Sequence, residues 1–197
     1  MSKSQLRKEL RARRRALQPA EHVRRSNLAA STVTHLAAFK AGARVAVYLP
    51  FDRETNTAAL LVAARRRGIH IFVPVITDLR HRRLRFYPLS GKTRRGVYGI
   101  SVPHRNGRWT APRWLNLIVV PLVGIDGEGH RLGMGAGFYD RALGFRRSRR
   151  HWRGPRLVGL GFDCQRADTV FADPWDARLD SLATESGLKD FPRGVEQ

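Results

Sequence analysis

The sequence predicts an α/β fold, a single three-layer α/β/α domain whose sheet is mostly parallel. Two observations carry this: strongly apolar strand-like runs alternate with helical patterns along the chain, and one strand, helix and strand fit within about 32 residues, the size of a βαβ unit. At 197 residues the chain supports one core. Residues 1–197 are therefore taken as one domain, with a basic N-terminal helix packed on it and a flexible tail over 188–197.

The first helix is expected over residues 3–17. Ser2 and Gln5 form a capping pair, and Leu6, Leu10 and Leu17 make the apolar stripe while most basic residues lie off it. A second helix follows Pro19, with Val23, Ala30, Val33 and Ala37 at helical spacing and Gly42 as its stop. "ARVAVYLP" (43–50) reads as a buried strand. Thr55 or Asn56 caps a third helix, "TAALLVAARRRG", which Gly68 closes, and "IHIFVPVI" is the next strand.

Residues 78–114 are looser, with one strand, "LRFYPL", and a Gly, Pro and Arg-rich connection. "LNLIVVPLV" is the clearest buried strand, and it runs into "GIDGEGHRLGMGAG" and a helix from Phe138 to about Phe145. "RLVGLGF" and "ARLDSLAT" are further strands. The whole pattern is Rossmann-like, and ligands of such sheets bind beyond the carboxyl ends of the strands.

Composition narrows the function. The longest apolar runs fall short of the roughly 18 residues of a membrane span, which predicts a soluble protein with no membrane partner. The N-terminus lacks the apolar core of a secretory signal, although its Arg-rich amphipathic character leaves a mitochondrial transit peptide open. Cys164 is the only cysteine, which excludes an internal disulfide and suits a cytoplasmic setting. The net charge is +21, and 32 of the 37 basic residues are arginine. Such a field attracts polyanions, so the chain could bind nucleic acid, though only through nonspecific electrostatics. The basic clusters are spread along the chain with no single basic tail, which favours compositional bias over a dedicated nucleic-acid function.

"RLGMGAGFYDR" (131–141) is the most informative stretch. Gly133, Gly135 and Gly137 leave the backbone bare enough for its amides to cradle a polyphosphate. Arg131 and Arg141 supply charge at both ends, and Asp140 is a hard oxygen ligand suited to Mg²⁺. Two better-known nucleotide loops fail on spacing. "GKT" at 91–93 has Phe86 where a P-loop needs its first glycine, and a GxGxG late in the chain is not a dinucleotide fingerprint.

The stretch "PLVGIDGEGHRLGMGAGFYDRAL" (121–143) resembles the motif of the 5-formyltetrahydrofolate cyclo-ligase family. "KSQLRKELR", "AVYLPFDRETNT" and "PWDARLDSLATESG" agree with it in order, so the resemblance spans nearly the whole chain. It implies an ATP- and Mg²⁺-dependent closure of 5-formyltetrahydrofolate, with or without a polyglutamate tail, to 5,10-methenyltetrahydrofolate, releasing ADP and phosphate through a phosphorylated formyl intermediate. It also implies roles residue by residue. Lys3, Arg7, Arg131, Leu132, Gly133, Met134, Gly135, Ala136, Gly137, Phe138, Tyr139 and Asp140 would bind ATP. Leu49, Glu54 and Tyr139 would line the folate pocket, Arg131 and Tyr139 would act in catalysis, and Asp140 and Asp176 would hold Mg²⁺. Several departures stand out: Met134 and Ala136 sit where some members carry basic residues, Phe138 replaces a tyrosine, Ile125 stands where the family often has phenylalanine, and Val102 stands where many have glutamate. Two other readings remain, a basic nucleic-acid-binding protein and a nucleotide-binding member with a different substrate.

Overall fold

A computed structural model describes residues 1–89, 93–96, 101–103, 108–146 and 154–191. Its main sheet has seven strands: β1 (Arg44–Ala46), β2 (His70–Asp78), β3 (Arg83–Pro88), β6 (Leu117–Pro121), β9 (Arg156–Leu160), β10 (Ser181–Thr184) and β11 (Gly187–Asp190). Their order is β11-β10-β9-β6-β1-β2-β3. The five inner strands pair in parallel, while the edge strands β3 and β11 are antiparallel to their neighbours. Two small hairpins lie outside it: β4 (Thr93–Arg95) with β5 (Ser101–Pro103), and β7 (Gly124–Ile125) with β8 (Arg131–Leu132).

Strand β6 shows why the sheet needs cover on both faces. Leu117 and Val119 point into a core shared with α2 (Pro19–Thr34) and α3 (Ala58–Arg66), through Ala29, Ala30, Val33, Leu60 and Ala64. Ile118 and Val120 alternate into a second core with Phe86, Leu182 and Leu143 of α4 (Phe138–Leu143). The expected α/β architecture with a mostly parallel sheet is thus present.

Helix α1 (Lys3–Arg15) begins as the sequence predicts, with the Ser2 hydroxyl accepting from the Gln5 amide and the Gln5 side chain accepting from the Ser2 amide. It ends two residues before the expected boundary. Leu6 and Leu10 are buried, but the third buried position is Arg14, not Leu17. Leu17 lies past the helix, and the buried Arg14 donates from Nη2 to the carbonyl of Asp52 in a distant loop. With Leu10 fully buried among Leu6, Val123, Leu132 and Val170, Leu10→Ala should cost about 2–5 kcal/mol in a urea melt. A loss under about 1 kcal/mol would show that α1 is not docked by this cluster.

Other boundaries shift for local reasons. Helix α2 stops at Thr34, eight residues before Gly42, because turns at 33–36 and 36–39 drop Leu36 and Phe39 into the core. Val23 is exposed in the second turn of α2, and Ala37 lies outside the helix. Gly42, at φ +73°, instead turns the chain into β1. Strand β1 is only three residues long. After Val47 the chain bends away, held by Thr57 Oγ1 donating to the Tyr48 carbonyl and Tyr48 Oη donating to the Thr55 carbonyl. The flexible tail expected from residue 188 is not seen at its start: residues 187–190 form β11 and Phe191 is buried. Residues 192–197 lie outside the described part, as do most of "SGKTRRGVYG" and the side chain of Val102. Among the described residues no helix is long and apolar enough to cross a membrane.

Candidate active site

Strand β6 ends at Pro121, and the β7–β8 hairpin lifts the chain past its carboxyl end before the glycine loop begins. The loop floors a cavity of about 890 Å³. Every residue expected at the site lines it: Lys3 and Arg7 from α1, Leu49 and Glu54 from the loop after β1, the whole of Arg131–Asp140, and Asp176. The structure therefore brings together four segments that are far apart in the chain.

Two of the loop glycines have separate reasons to be glycine. Gly135 has φ +100°, a conformation L side chains rarely adopt, and the Arg7 guanidinium lies 3.5 Å from where its Cβ would stand. At Gly133 the reason is space, since a Cβ would come within 2.8 Å of Arg131 Nη1. Arg7 is aimed across the loop by donating from Nε to the Gly133 carbonyl at 2.9 Å. Helix α4, which follows, has only six residues. Charge at this loop thus comes chiefly from arginines and local amides, and little from a helix dipole.

Arg131 is the anchor beneath the loop. Its side chain is 5% exposed and donates from Nη2 to Asp140 Oδ1 at 2.7 Å, and its guanidinium lies 5.5 Å from the centre of the Tyr139 ring. Asp140 Oδ1 also accepts from the Ala177 amide at 3.3 Å, which places it beside Asp176. The two carboxylates expected at Mg²⁺ therefore share one end of the cavity. Asp176 Oδ2 accepts from the Asp173 amide and lies 3.5 Å from Lys3 Nζ. Each carboxylate keeps its second oxygen without a partner among the described residues. No cluster of three His, Cys, Asp or Glu side chains suited to a metal occurs among those residues. This donor set fits Mg²⁺, which takes one or two carboxylates and completes its shell with water and phosphate oxygens.

Lys3 is held at this end by Asp173 at 2.5 Å. Burial opposes its charge, but Asp173 and Asp176 outweigh that and raise the ammonium above its usual value. The Tyr139 hydroxyl is buried with no partner among the described residues, and burial pushes its phenol above the ordinary range. Glu54 faces the same region. Burial raises its carboxyl to about 7, although the Phe51 amide donating to Oε2 at 3.0 Å works the other way.

Sequence reasoning missed several lining residues. Asp173 and Trp175 flank the Asp176 motif and could have been read from it, whereas Tyr48, Phe51 and Arg82 carried no local signal. Arg82 reaches the loop from the β2–β3 turn, with Nη1 3.6 Å from the position of a Cβ on Gly137.

The model of the 5-formyltetrahydrofolate cyclo-ligase family matches residues 1–185. The chain is 32% identical over 185 residues to the 5-formyltetrahydrofolate cyclo-ligase of Escherichia coli K12, covering 92% of this chain and all of that one. It is 30% identical to the protein of the same name from Mycolicibacterium smegmatis, covering 93% of each. Among solved structures, the 5,10-methenyltetrahydrofolate synthetase of Aquifex aeolicus superposes with a TM-score of 0.82 at 28% identity, covering all of this chain and 96% of that one.

Proposed function

The chain belongs to the 5-formyltetrahydrofolate cyclo-ligase family, and from that premise we propose that it closes 5-formyltetrahydrofolate to 5,10-methenyltetrahydrofolate at the expense of ATP. The observation that carries this reading is the convergence of Lys3, Arg7, Glu54, the Arg131–Asp140 loop and Asp176 on one cavity. The formyl oxygen attacks the γ-phosphorus and ADP leaves. N10 then attacks the activated carbon, loses its proton, and phosphate departs. Phosphorylation turns a poor leaving oxygen into a good one, so the protein's work is positioning and charge neutralisation.

The residues divide that work by their surroundings. Lys3, Arg7 and Arg131 face the phosphates, and loop amides from Gly133 to Gly137 complete the cradle. Met134 and Ala136 contribute backbone alone. Asp140 and Asp176 would hold Mg²⁺, which supplies countercharge to the transferring phosphoryl group. Glu54 accepts from the pterin edge, Leu49 packs beside it, and the partnerless Tyr139 hydroxyl donates near the reacting formyl group. Carboxylates of a polyglutamate tail would add to the attraction exerted by the +21 charge. A reducing cytoplasm is the setting that suits the lone, free Cys164.

The test is spectrophotometric. Purified protein with ATP, Mg²⁺ and 5-formyltetrahydrofolate should build up the absorbance of the methenyl product, and each omission should abolish it. Binding of ATP and Mg²⁺ without turnover of the folate would replace this reading with a family member of different substrate. Tight binding to nucleic acid that competes with ATP would favour the nucleic-acid alternative.

A further inference from the structure

Asp52 belongs to none of the roles above, yet three arginines engage it. Its Oδ2 accepts from Arg11 at 2.7 Å and lies 3.5 Å from Arg14 Nη2. Its Oδ1 accepts from both Nε and Nη2 of Arg15, at 3.0 and 2.5 Å. Its carbonyl accepts from Arg14 Nη2 at 2.7 Å. Three arginines from the C-terminal half of α1 thus close on one residue.

The backbone there shows what this clasp holds. Asp52 and Arg53 have φ +49° and +58°, two consecutive left-handed residues that are not glycine. That conformation is costly and persists only where the surroundings impose it. Arg53 is fastened too, through its side chain to the Leu17 carbonyl and through its own carbonyl to His22 Nε2 at 3.0 Å. The turn so formed delivers Glu54, whose amide donates to the Phe51 carbonyl at 3.0 Å and whose carboxylate accepts from the Phe51 amide.

Helix geometry links this clasp to the far end of the cavity. At 100° per residue, Lys3, Arg7, Arg11 and Arg14 fall within about 80° of one another on α1 and span about 16 Å. Lys3 and Arg7 line the cavity, and Arg11 and Arg14 hold Asp52. The helix is seated firmly between them, since a Cβ on Gly124 of β7 would stand 2.3 Å from Leu10 Cδ1.

We propose that Asp52 is a positioning residue: by locking the 50–54 loop onto α1 it sets Glu54 in the folate end of the cavity, using the same helix that carries Lys3 and Arg7 to the phosphate end. This rests on the function proposed above. It also explains why a run of arginines, which composition alone would place in solvent, holds a side chain that is 1% exposed.

Asp52→Gly and Asp52→Asn test it. Glycine accepts positive φ without strain, so it removes the carboxylate and leaves the turn's conformation permitted. Asparagine keeps an acceptor and tolerates the same φ. Asp52→Gly should raise the KM for 5-formyltetrahydrofolate about tenfold or more, leave the KM for ATP within twofold, and expose the Phe51 and Glu54 amides to faster hydrogen exchange. Asp52→Asn should lie between it and the wild type on all three readouts. Wild-type exchange at Phe51 and Glu54 in Asp52→Gly would overturn the clasp. Faster exchange with an unchanged folate KM, or an equal rise in both KM values, would overturn the positioning role. If the wild type turns over no folate, exchange still decides the clasp, and the failure belongs to the proposed function.

Discussion

Asp140→Ala should lower kcat by about 10²- to 10³-fold if Asp140 holds Mg²⁺ as proposed, a loss comparable to removing one preorganised group that stabilises transition-state charge. The structure adds that this variant will not be purely catalytic. Asp140 Oδ1 accepts from Arg131 at 2.7 Å, and the Arg131 side chain is 5% exposed with its Nε already lacking a partner among the described residues. Its other donation, from Nη1 to the Pro121 carbonyl, is long at 3.5 Å. Removing the carboxylate strands a buried guanidinium, which costs about 3–5 kcal/mol where the pair is fully buried. Asp140→Asn separates the two effects. It keeps an acceptor for Arg131 and the Ala177 amide, so its Tm should stay close to wild type while kcat falls nearly as far as in Asp140→Ala. Wild-type turnover in Asp140→Asn, measured at saturating Mg²⁺ and ATP, would remove Asp140 from the proposed site.

The contrast between Asp140 and Asp52 shows what the sequence disclosed and what it withheld. The glycine loop was legible because its chemistry is local: three glycines, an arginine and an aspartate lie within ten residues, and the backbone between them makes the site. The strands were legible for a similar reason, since apolar runs such as 115–123 have no stable place except inside a sheet. Their exact lengths were not, because β1 ends where pairing with β2 and β6 ends, which is decided by other segments. Arg14 was misread for the same cause. Within "RARRR" nothing marks one arginine as buried, and its acceptor lies 38 residues away in a turn whose left-handed conformation no local rule predicts. Strand β11 escaped notice because "GLKD" is short and largely exposed, and exists as a strand only through antiparallel pairing with β10. Local chemistry could be read; convergence had to be seen.

Glu54 is where convergence bears most directly on behaviour in solution. Burial holds its carboxyl at about 7, above the ordinary 4.5. In the role proposed for it, accepting from the pterin edge, the ionised form offers both oxygens and is the stronger acceptor, so the apparent affinity for 5-formyltetrahydrofolate should fall by up to tenfold per unit as pH drops below about 7, and level off above it. Glu54→Gln should abolish that dependence and weaken folate binding about 100-fold at pH 8, since a charge-assisted hydrogen bond contributes roughly 1.5–3 kcal/mol. ATP affinity should be unaffected. Stability should move the other way. With the folded pKa above the unfolded one, the native state holds its proton more tightly, so stability is lost as pH rises from about 4.5 to about 7. Glu54→Gln should therefore be about as stable as wild type at pH 4 and more stable by about 1–3 kcal/mol at pH 8. A residue that served the fold would show the opposite sign at pH 8. Gain of stability with loss of folate affinity in one variant is the mark of a group kept for its ligand. Equal pH profiles for folate binding in Glu54→Gln and wild type would show that another group titrates.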